Sequence, residues 1–195
     1  VLGVVYGDGW VYYSEKHGVY HVGLSVRDLD FRDFFIYNLS KVYRHRLNPT
    51  KRNRNGGIYY EVSANSKELC NFINNYNVEN LKGNMINGFL KGFFDSEGTI
   101  CGSNLDNLRC ATRTISLYQK DKKITEIVIF YLSILNIKST IRIRHGSGFN
   151  KNGKYYIITI SGKDNLIRFK NDIGFSIKRK EDKLNEVIES YVKTK

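Results

Sequence analysis

The sequence predicts an α+β protein made of two related halves, each with the element order α, β, β, α, β, β, α. One observation is an internal repeat, because segments of the first half match segments of the second in the same order. The other is a series of short segments in which apolar and polar residues alternate, lying between segments with helical spacing. Together these predict two small antiparallel sheets, each with helices on one face and a polar, basic surface on the other.

The repeat runs through most of the chain. At an offset of 89 residues the matches are Gly3 with Gly92, Asp8 with Glu97 and Gly9 with Gly98. At an offset of 93, VRDLDFRDFFIYNLS matches QKDKKITEIVIFYLS, and at 97 the segment around Leu69 matches that around Leu166. Offsets that only increase indicate the same elements with small insertions in the second copy. We therefore predict an N-terminal half of residues 1–82 and a C-terminal half of residues 83–195.

Alternation marks the strands between the helices. Val22, Leu24 and Val26 share one side of the segment 19–27, with polar residues on the other, and 58–63, 109–119 and 155–161 look similar. In segment 139–145 we expect Ile141 and Ile143 to face the core. Turn sequences lie at 55–57, 106–107 and 152–153. Helices are predicted at 30–43 and 122–135, where apolar residues recur at helical spacing.

Composition narrows the function classes. The net charge of +12 indicates a polyanionic partner, and aromatic residues mixed with the basic ones favour nucleic acid over a membrane surface. No apolar run reaches the length of a bilayer span, and no signal peptide is visible, so we expect a protein of the cytoplasm or an organelle matrix. Cys70, Cys101 and Cys110 show no metal spacing, and we expect them to pack as small apolar residues in a reducing compartment.

Two apolar segments end in a carboxylate followed by glycine: VLGVVYGDG ends at Asp8-Gly9 and LKGFFDSEG at Glu97-Gly98. Glycines four residues apart, Gly3 with Gly7 and Gly88 with Gly92, would line one face of each helix and let two helices pack closely. If the helices pair across a pseudo-twofold axis, the two carboxylates meet at the negative helix ends, where they repel each other.

A shared divalent cation would relieve that repulsion. Oxygen-only ligands suit Mg²⁺, and the free carbonyls of Gly7 and Ser96 could supplement the carboxylates of Asp8 and Glu97. Metal ions held between two acids beside a basic sheet fit the hydrolysis of phosphodiesters. The alternative is that each acid before glycine only ends a helix.

These segments resemble the two motifs of single-chain LAGLIDADG homing endonucleases, and the duplicated frame carrying them covers nearly the whole chain. The resemblance implies that the motif helices form the interface between the halves and that the sheets form a saddle over double-stranded DNA. It also implies that Asp8 and Glu97 bind Mg²⁺, in sites that Mn²⁺ or Ca²⁺ can also occupy. The expected protein is a monomer that cuts both strands and leaves 3′ overhangs.

Further family residues transfer unevenly. A lysine that precedes the last helix of each repeat supports the active site in the family, and Lys82 and Lys180 match that position, although a solvated helix start would also explain Lys180. A glutamine at the end of the second strand positions water in the family, and Gln119 matches it, whereas the first half has Val26 there.

Strand parity and the hairpin positions select the predicted DNA contacts. For each one, a solvated surface position is the alternative. The sheet positions with outward parity are His21, Ser25, Arg27, Arg142 and Arg144. In the segment LRCATRT the sequence leaves the outward side open, and the candidates there are Arg109, Thr112 and Arg113. The hairpin-tip positions are Lys51, Arg52, Arg54, Lys151 and Lys154.

The sequence thus predicts a site-specific, metal-dependent DNA endonuclease. The alternative on the same fold is a maturase that binds intron RNA. A DNA-binding regulator without catalysis would not need the acid pair, so Asp8 and Glu97 argue against it.

Overall fold

The computed structural model describes residues 1–54, 56–103, 112–145 and 153–191, except the side chain of Arg54. The chain divides into two compact units, Val1–Ser96 and Glu97–Lys195. The predicted division into residues 1–82 and 83–195 follows the sequence repeat instead and stays a prediction.

Unit 1 carries the first set of elements. They are α1 (Leu2–Tyr6), β1 (Gly9–Ser14), β2 (Val19–Val26), α2 (Leu29–Ser40), β3 (Thr50–Arg54), β4 (Gly57–Asn65) and α3 (Lys67–Asn75). Helix α4 (Asn84–Glu97) belongs to this unit up to Ser96. The four strands form one antiparallel sheet, sheet A, in the order β1-β2-β4-β3.

Unit 2 repeats the arrangement. Its elements are β5 (Gly98–Ser103), β6 (Thr112–Gln119), α5 (Lys122–Ile134), β7 (Ser139–His145), β8 (Lys154–Ser161), α6 (Lys163–Asp172) and α7 (Lys178–Glu189). The strands form the antiparallel sheet B in the order β5-β6-β8-β7, which is the order of sheet A. The predicted α+β class with two repeated halves is confirmed, and α7 extends the second copy.

The core of each unit lies between the inner face of its sheet and the helices. In unit 1 the inner residues of β2, including Val22 and Leu24, are fully buried together with Phe35 of α2. Successive side chains of a strand point to opposite faces of the sheet. The buried apolar side chains lie on the face that the helices cover. In unit 2, Leu117 and Ile158 are likewise fully buried.

Local sequence fixes where the helices begin. Asp121 accepts a hydrogen bond from the backbone N–H of Ile124 (3.1 Å) and starts α5. Ser66 accepts one from the backbone N–H of Leu69 (3.1 Å) and starts α3. The predicted helix 30–43 is observed as Leu29–Ser40, because the chain leaves helical geometry after Lys41.

Two predictions about strands need correction. Residues 51–54, predicted as a hairpin tip, belong to the edge strand β3 and pair with β4. A polar edge strand is less prone to pair with other chains, which suits this composition. Ile141 and Ile143 do share the inner face with Ile158 and Tyr156, but they are 46% and 52% exposed because β7 is the edge of its sheet.

Other sequence features have mixed outcomes. Gly56 has φ +72°, as a tight hairpin turn requires, whereas the turns predicted at 106–107 and 152–153 involve residues outside the described ranges. Cys70 is buried as expected, Cys101 is exposed, and Cys110 lies outside the described residues. Among the helices of the described residues, none combines the length and apolar character needed to cross a bilayer.

Candidate catalytic centre and nucleic-acid interface

Helices α1 and α4 pack with their backbones in direct contact through two glycines. A Cβ atom placed on Gly3 would lie 1.9 Å from the carbonyl oxygen of Phe89, and one placed on Gly92 would lie 2.9 Å from the backbone nitrogen of Val4. Tyr6 and Phe89 also meet edge to face, with ring centroids 6.0 Å apart. The close packing predicted for the two motif helices therefore exists at Gly3 and Gly92.

The other two glycines of the predicted pairs do not take part in this contact. Gly7 lies beyond the end of α1 as its C-cap residue, and its N–H donates to the carbonyl of Val4 (3.1 Å). Gly88 lies in α4, but a Cβ there would meet nothing within 4 Å. It lines a largely apolar cavity of about 580 Å³ instead.

The two acids occupy matching places in the chain. Asp8 is exposed in the turn between α1 and β1, and Gly9 is the first residue of β1. Glu97 is the partly exposed last residue of α4, and Gly98 is the first residue of β5. Each half thus delivers a carboxylate at the point where its motif helix gives way to its sheet.

The chemistry available at these positions is that of oxygen donors. Within the described ranges, no group of three or more His, Cys, Asp or Glu residues is arranged to hold a metal ion. A cation would therefore need oxygens besides carboxylates, from backbone carbonyls, water or a phosphate, and such a set fits Mg²⁺. The carbonyl of Ser96 is among the last four of α4, which lack intrahelical partners, whereas the Ser96 hydroxyl donates to the carbonyl of Gly92 (3.0 Å).

The two lysines have different surroundings. Lys82 is exposed in the segment before α4. Lys180 is 9% exposed, and its Nζ lies 5.7 Å from the centroid of the Phe175 ring. It is the third residue of α7 rather than a residue preceding the helix, and α7 packs against β5, the strand that follows Glu97.

Gln119 uses its amide oxygen locally. Its Oε1 accepts hydrogen bonds from the backbone N–H groups of Lys120 (2.7 Å) and Asp121 (3.1 Å), just before α5 begins. Gln119 pairs with Tyr156 of β8, and both residues lie on the inner face of sheet B.

The outer face of sheet A carries His21 and Ser25, as predicted, with an aromatic residue between them. Trp10 pairs with Gly23, and a Cβ on Gly23 would lie 2.4 Å from the indole ring. The ring thus lies across the sheet between His21 and Ser25. The Nδ1 atom of His21 and the hydroxyl of Ser25 are buried and have no hydrogen-bond partner among the described residues.

The cations of unit 1 divide between the two faces. Arg27 is exposed, and its guanidinium carbon lies 4.6 Å from the centroid of the Tyr59 ring. Arg52 lies on the outer face opposite Tyr59 and forms an ion pair with Glu61 (Nε to Oε2, 3.6 Å). Lys51 pairs with Tyr60 on the inner-face side of this edge strand, while the backbone of Arg54 pairs with Gly57.

Sheet B presents a different outer face. Thr112, Arg142 and Arg144 are exposed and have outward parity, as predicted. Arg113 does not. It is 8% exposed, its Nε donates to the hydroxyl of Ser190 (2.7 Å), and its guanidinium lies 4.7 Å from the Tyr191 ring centroid.

The prediction that Arg113 contacts DNA is therefore wrong for the structure as folded, because this side chain points to the inner face and is buried against the end of α7. Lys154 has the same inward parity as Tyr156, and its Nζ lies 5.4 Å from the centroid of the Tyr156 ring. Arg109 and Lys151 lie outside the described residues.

Sequence reasoning missed two outward residues of sheet A. Trp10 lies in β1 opposite Gly23, and Glu61 lies in β4 opposite Ser25. A signal was present for Trp10, since alternation along β1 assigns it to the same face as Tyr12. Glu61 gave no signal, because the pairing of β2 with β4 sets its place.

Comparison with known proteins gives a consistent result. The family model described as "LAGLIDADG-like domain" matches residues 84–174. An uncharacterised protein of Methanocaldococcus jannaschii, MJ0398, is 30% identical over 204 residues, covering 97% of this chain and 70% of the relative. The homing endonuclease I-DmoI of Desulfurococcus mucosus is 25% identical over 178 residues, covering 85% and 81%. The chain spans only 8% and 7% of two longer curated relatives that it also matches.

Solved structures show the same fold. I-DmoI in complex with DNA and Ca has a TM-score of 0.64 and 20% identity, covering 95% of this chain and 94% of that one. The homing endonuclease I-WcaI bound to its DNA recognition sequence has a TM-score of 0.64 and 18% identity, covering 92% and 83%.

Proposed function

The chain belongs to the LAGLIDADG family, and from this premise we propose that it is a monomeric, Mg²⁺-dependent endonuclease that makes double-strand breaks with 3′ overhangs. The target is a long, asymmetric site in double-stranded DNA. One observation carries the proposal: in each half, a carboxylate directly precedes the glycine that begins the first strand of the sheet. These are Asp8 before Gly9 and Glu97 before Gly98.

The outer faces support duplex DNA as the substrate. The chain has an excess of twelve positive charges, and Arg27, Arg52, Arg142 and Arg144 lie outward in the strands or at their ends. Arginine suits both phosphates and base edges in the major groove, because its guanidinium forms paired hydrogen bonds. Since the outer faces of the two sheets differ in composition, each would recognise its own half-site, and the target would be asymmetric.

Asp8 and Glu97 are the residues that would hold the cation, supplemented by the carbonyls of Gly7 and Ser96. When bound, Mg²⁺ supplies activation of the attacking water and neutralisation of the leaving oxygen. I-DmoI has been solved in complexes with DNA and Mn and with DNA and Ca, and a variant of it with its target DNA in the presence of Mg. These complexes support the use of a divalent cation here.

The chain's own side chains divide the remaining work. We assign to Lys180 the stabilisation of the charge that develops on the phosphate. Lys180 lies in α7, which packs against β5, the strand that follows Glu97. Lys82 has the corresponding role in the first half. Gln119 would orient water only after its amide oxygen is released from the backbone N–H groups of Lys120 and Asp121.

The second half has Gln119 where the first half has Val26, and Lys180 is buried where Lys82 is exposed. We therefore expect the two strands to be cut at different rates. The RNA-binding alternative gains no support from the similar structures named above, because both are complexes with DNA.

The experiment that tests the proposal is selection of cleavable sites from a random duplex library with Mg²⁺. The variants are Asp8→Asn and Glu97→Gln, and the matched controls are Asp33→Asn and Glu126→Gln, which neutralise acids whose side chains are 60% and 61% exposed. We expect one long, asymmetric site with 3′ overhangs, cut by the parent and the controls. Both variants should bind that site without double-strand cleavage. Cutting by the variants at the parent's rate would mean that the carboxylates only end helices.

A further inference from the structure

Each unit contains a cation stacked on a tyrosine at one end of its sheet. In unit 1 the guanidinium carbon of Arg27 lies 4.6 Å from the Tyr59 ring centroid. In unit 2 the Nζ of Lys120 lies 5.4 Å from the Tyr155 ring centroid. Both distances are within the range of an attractive cation–π contact. The tyrosines occur in a repeated Gly-x-Tyr-Tyr sequence, at residues 57–60 and 153–156.

The two pairs occupy the same place relative to the acids. Gly9, which follows Asp8, pairs with Leu24, and Arg27 lies three residues after Leu24. Gly98, which follows Glu97, pairs with Leu117, and Lys120 lies three residues after Leu117.

Three residues of extended chain span roughly 10 Å. Each cation therefore leaves its sheet at the end where the acid of the same half enters it.

Both pairs face the outside of their sheets. Tyr59 pairs with Arg52 and alternates with Tyr60, and Tyr155 alternates with the buried Tyr156. Arg27 and Lys120 are themselves exposed. Their charges are therefore open to a ligand lying on the outer face.

The pair in unit 1 also depends on a glycine. A Cβ on Gly57 would lie 2.7 Å from Nη2 and 3.0 Å from Cζ of Arg27. The guanidinium thus lies against both the Tyr59 ring and the bare backbone of Gly57, and this contact limits the directions in which it can point.

We propose that Arg27 and Lys120 each hold a DNA backbone phosphate next to the cleavage site of their half, with Tyr59 and Tyr155 fixing the direction of the two cations. The inference rests on the proposed function, because it assigns a partner to the sheet ends that carry the acids. A cation held in place loses less conformational freedom on binding than a free one, so it binds a phosphate more effectively.

The two pairs are chemically unequal. The planar guanidinium of Arg27 can donate two parallel hydrogen bonds to a phosphate, whereas the ammonium of Lys120 acts as a compact point charge. The first half therefore fixes the orientation of its phosphate more strictly than the second half does.

The test measures how the affinity for duplex DNA depends on salt, for the parent and for Arg27→Gln and Lys120→Gln. Loss of one phosphate contact lowers the slope of log affinity against log salt by roughly 0.9. Between 50 and 200 mM salt, each variant would then lose about 3.5-fold less affinity than the parent loses. The effect should be the same on duplexes of different sequence, because phosphates carry no base identity.

The matched controls remove the same positive charge at a different position in the same unit. Arg32 lies over the Tyr60 ring at 4.9 Å, on the opposite face of sheet A from Tyr59, so Arg32→Gln removes a stacked arginine from the helix side. Lys122 forms an ion pair with Glu126 (3.3 Å) in α5, two residues after Lys120. Arg32→Gln and Lys122→Gln should leave the slope unchanged.

A second measurement separates charge from positioning. Tyr59→Leu and Gly57→Ala keep Arg27 but release or displace its guanidinium, so the salt slope should stay and one strand should be nicked more slowly. Lys120→Gln should slow the other strand.

Slopes equal to those of the parent in both cation variants would overturn the inference, as would a change of sequence preference without a change of slope. A parent that binds duplex DNA but cuts no site would defeat the proposed nuclease activity alone, since the slopes would still decide this inference.

Discussion

Replacing Gly3 by alanine places a methyl group inside the contact between α1 and α4. The added Cβ would lie 1.9 Å from the carbonyl oxygen of Phe89 and 2.9 Å from the backbone nitrogen of Phe93. Ordinary contacts of a Cβ begin at 3.4 Å, so the two backbones would have to separate by about 1.5 Å. Backbone in a packed helix cannot rotate away as a flexible side chain does. The strain therefore moves the whole of α1.

The magnitude follows from two opposing effects. Overpacking of this kind costs typically ~1–3 kcal/mol, and more where rigid backbone is displaced. Alanine recovers at most about 1 kcal/mol of helix propensity relative to glycine. We expect the free energy of unfolding to fall by about 2 kcal/mol, which is roughly 4–8 °C in Tm for a chain of this size.

The same helix pair supplies the control. Gly88→Ala adds a methyl group in α4 one turn before Gly92, where nothing lies within 4 Å. It should therefore raise the free energy of unfolding by up to about 1 kcal/mol. Gly92→Ala should fall between the two variants, since its Cβ would lie 2.9 Å from the nitrogen and 3.0 Å from Cγ2 of Val4.

Urea unfolding followed by tryptophan fluorescence measures these differences, because Trp10 is the only tryptophan and lies in unit 1. The expected order of stability is Gly88→Ala, parent, Gly92→Ala and Gly3→Ala. If Gly3→Ala is as stable as the parent, or if it shifts in the same direction as Gly88→Ala, the helix contact is not the one described.

Arg113→Met should lower the free energy of unfolding by roughly 2 kcal/mol and leave the affinity for DNA unchanged, because a buried, charge-assisted hydrogen bond to Ser190 is lost. Parallel unfolding and binding titrations check this, and a loss of affinity without a loss of stability would contradict it. Alkylation mapped by mass spectrometry should modify the exposed Cys101 before Cys70, since burial raises the pKa of the Cys70 thiol and blocks access to it. Duplex DNA should protect Cys101, which lies on the outer face of sheet B, and the absence of protection would mean that DNA does not cover that face.

The element order and the repeat were determined by the sequence alone. Alternation in β2 and helical spacing in α2 and α5 are local patterns, because each arises from the geometry of one element. The acid before glycine at Asp8 and Glu97 was visible for the same reason. Duplication turned two weak local signals into one prediction of a shared site.

Only the tertiary structure decided which residues meet. Gly88 and Gly92 look alike in the sequence, yet Gly92 contacts the backbone of α1 and Gly88 lines a cavity, since α1 covers only part of α4. Arg113 reads as a basic residue in a strand. Its burial depends on the end of α7, because its hydrogen-bond partner Ser190 lies 77 residues further along the chain. Ile141 reads as a core residue, but it is 46% exposed because β7 is the edge strand of its sheet.

The pairing of distant strands had the largest effect on the proposed DNA surface. Tyr59 lies beside Arg27 because β4 pairs with β2, and Tyr155 lies beside Lys120 because β8 pairs with β6. Parity within a strand can be counted from the sequence, whereas the register between strands is set by the packing of both sheets and their turns. For that reason the acids and Arg27 could be predicted from the chain, whereas Lys120 and the pairing of each cation with its tyrosine could be assigned only from the fold.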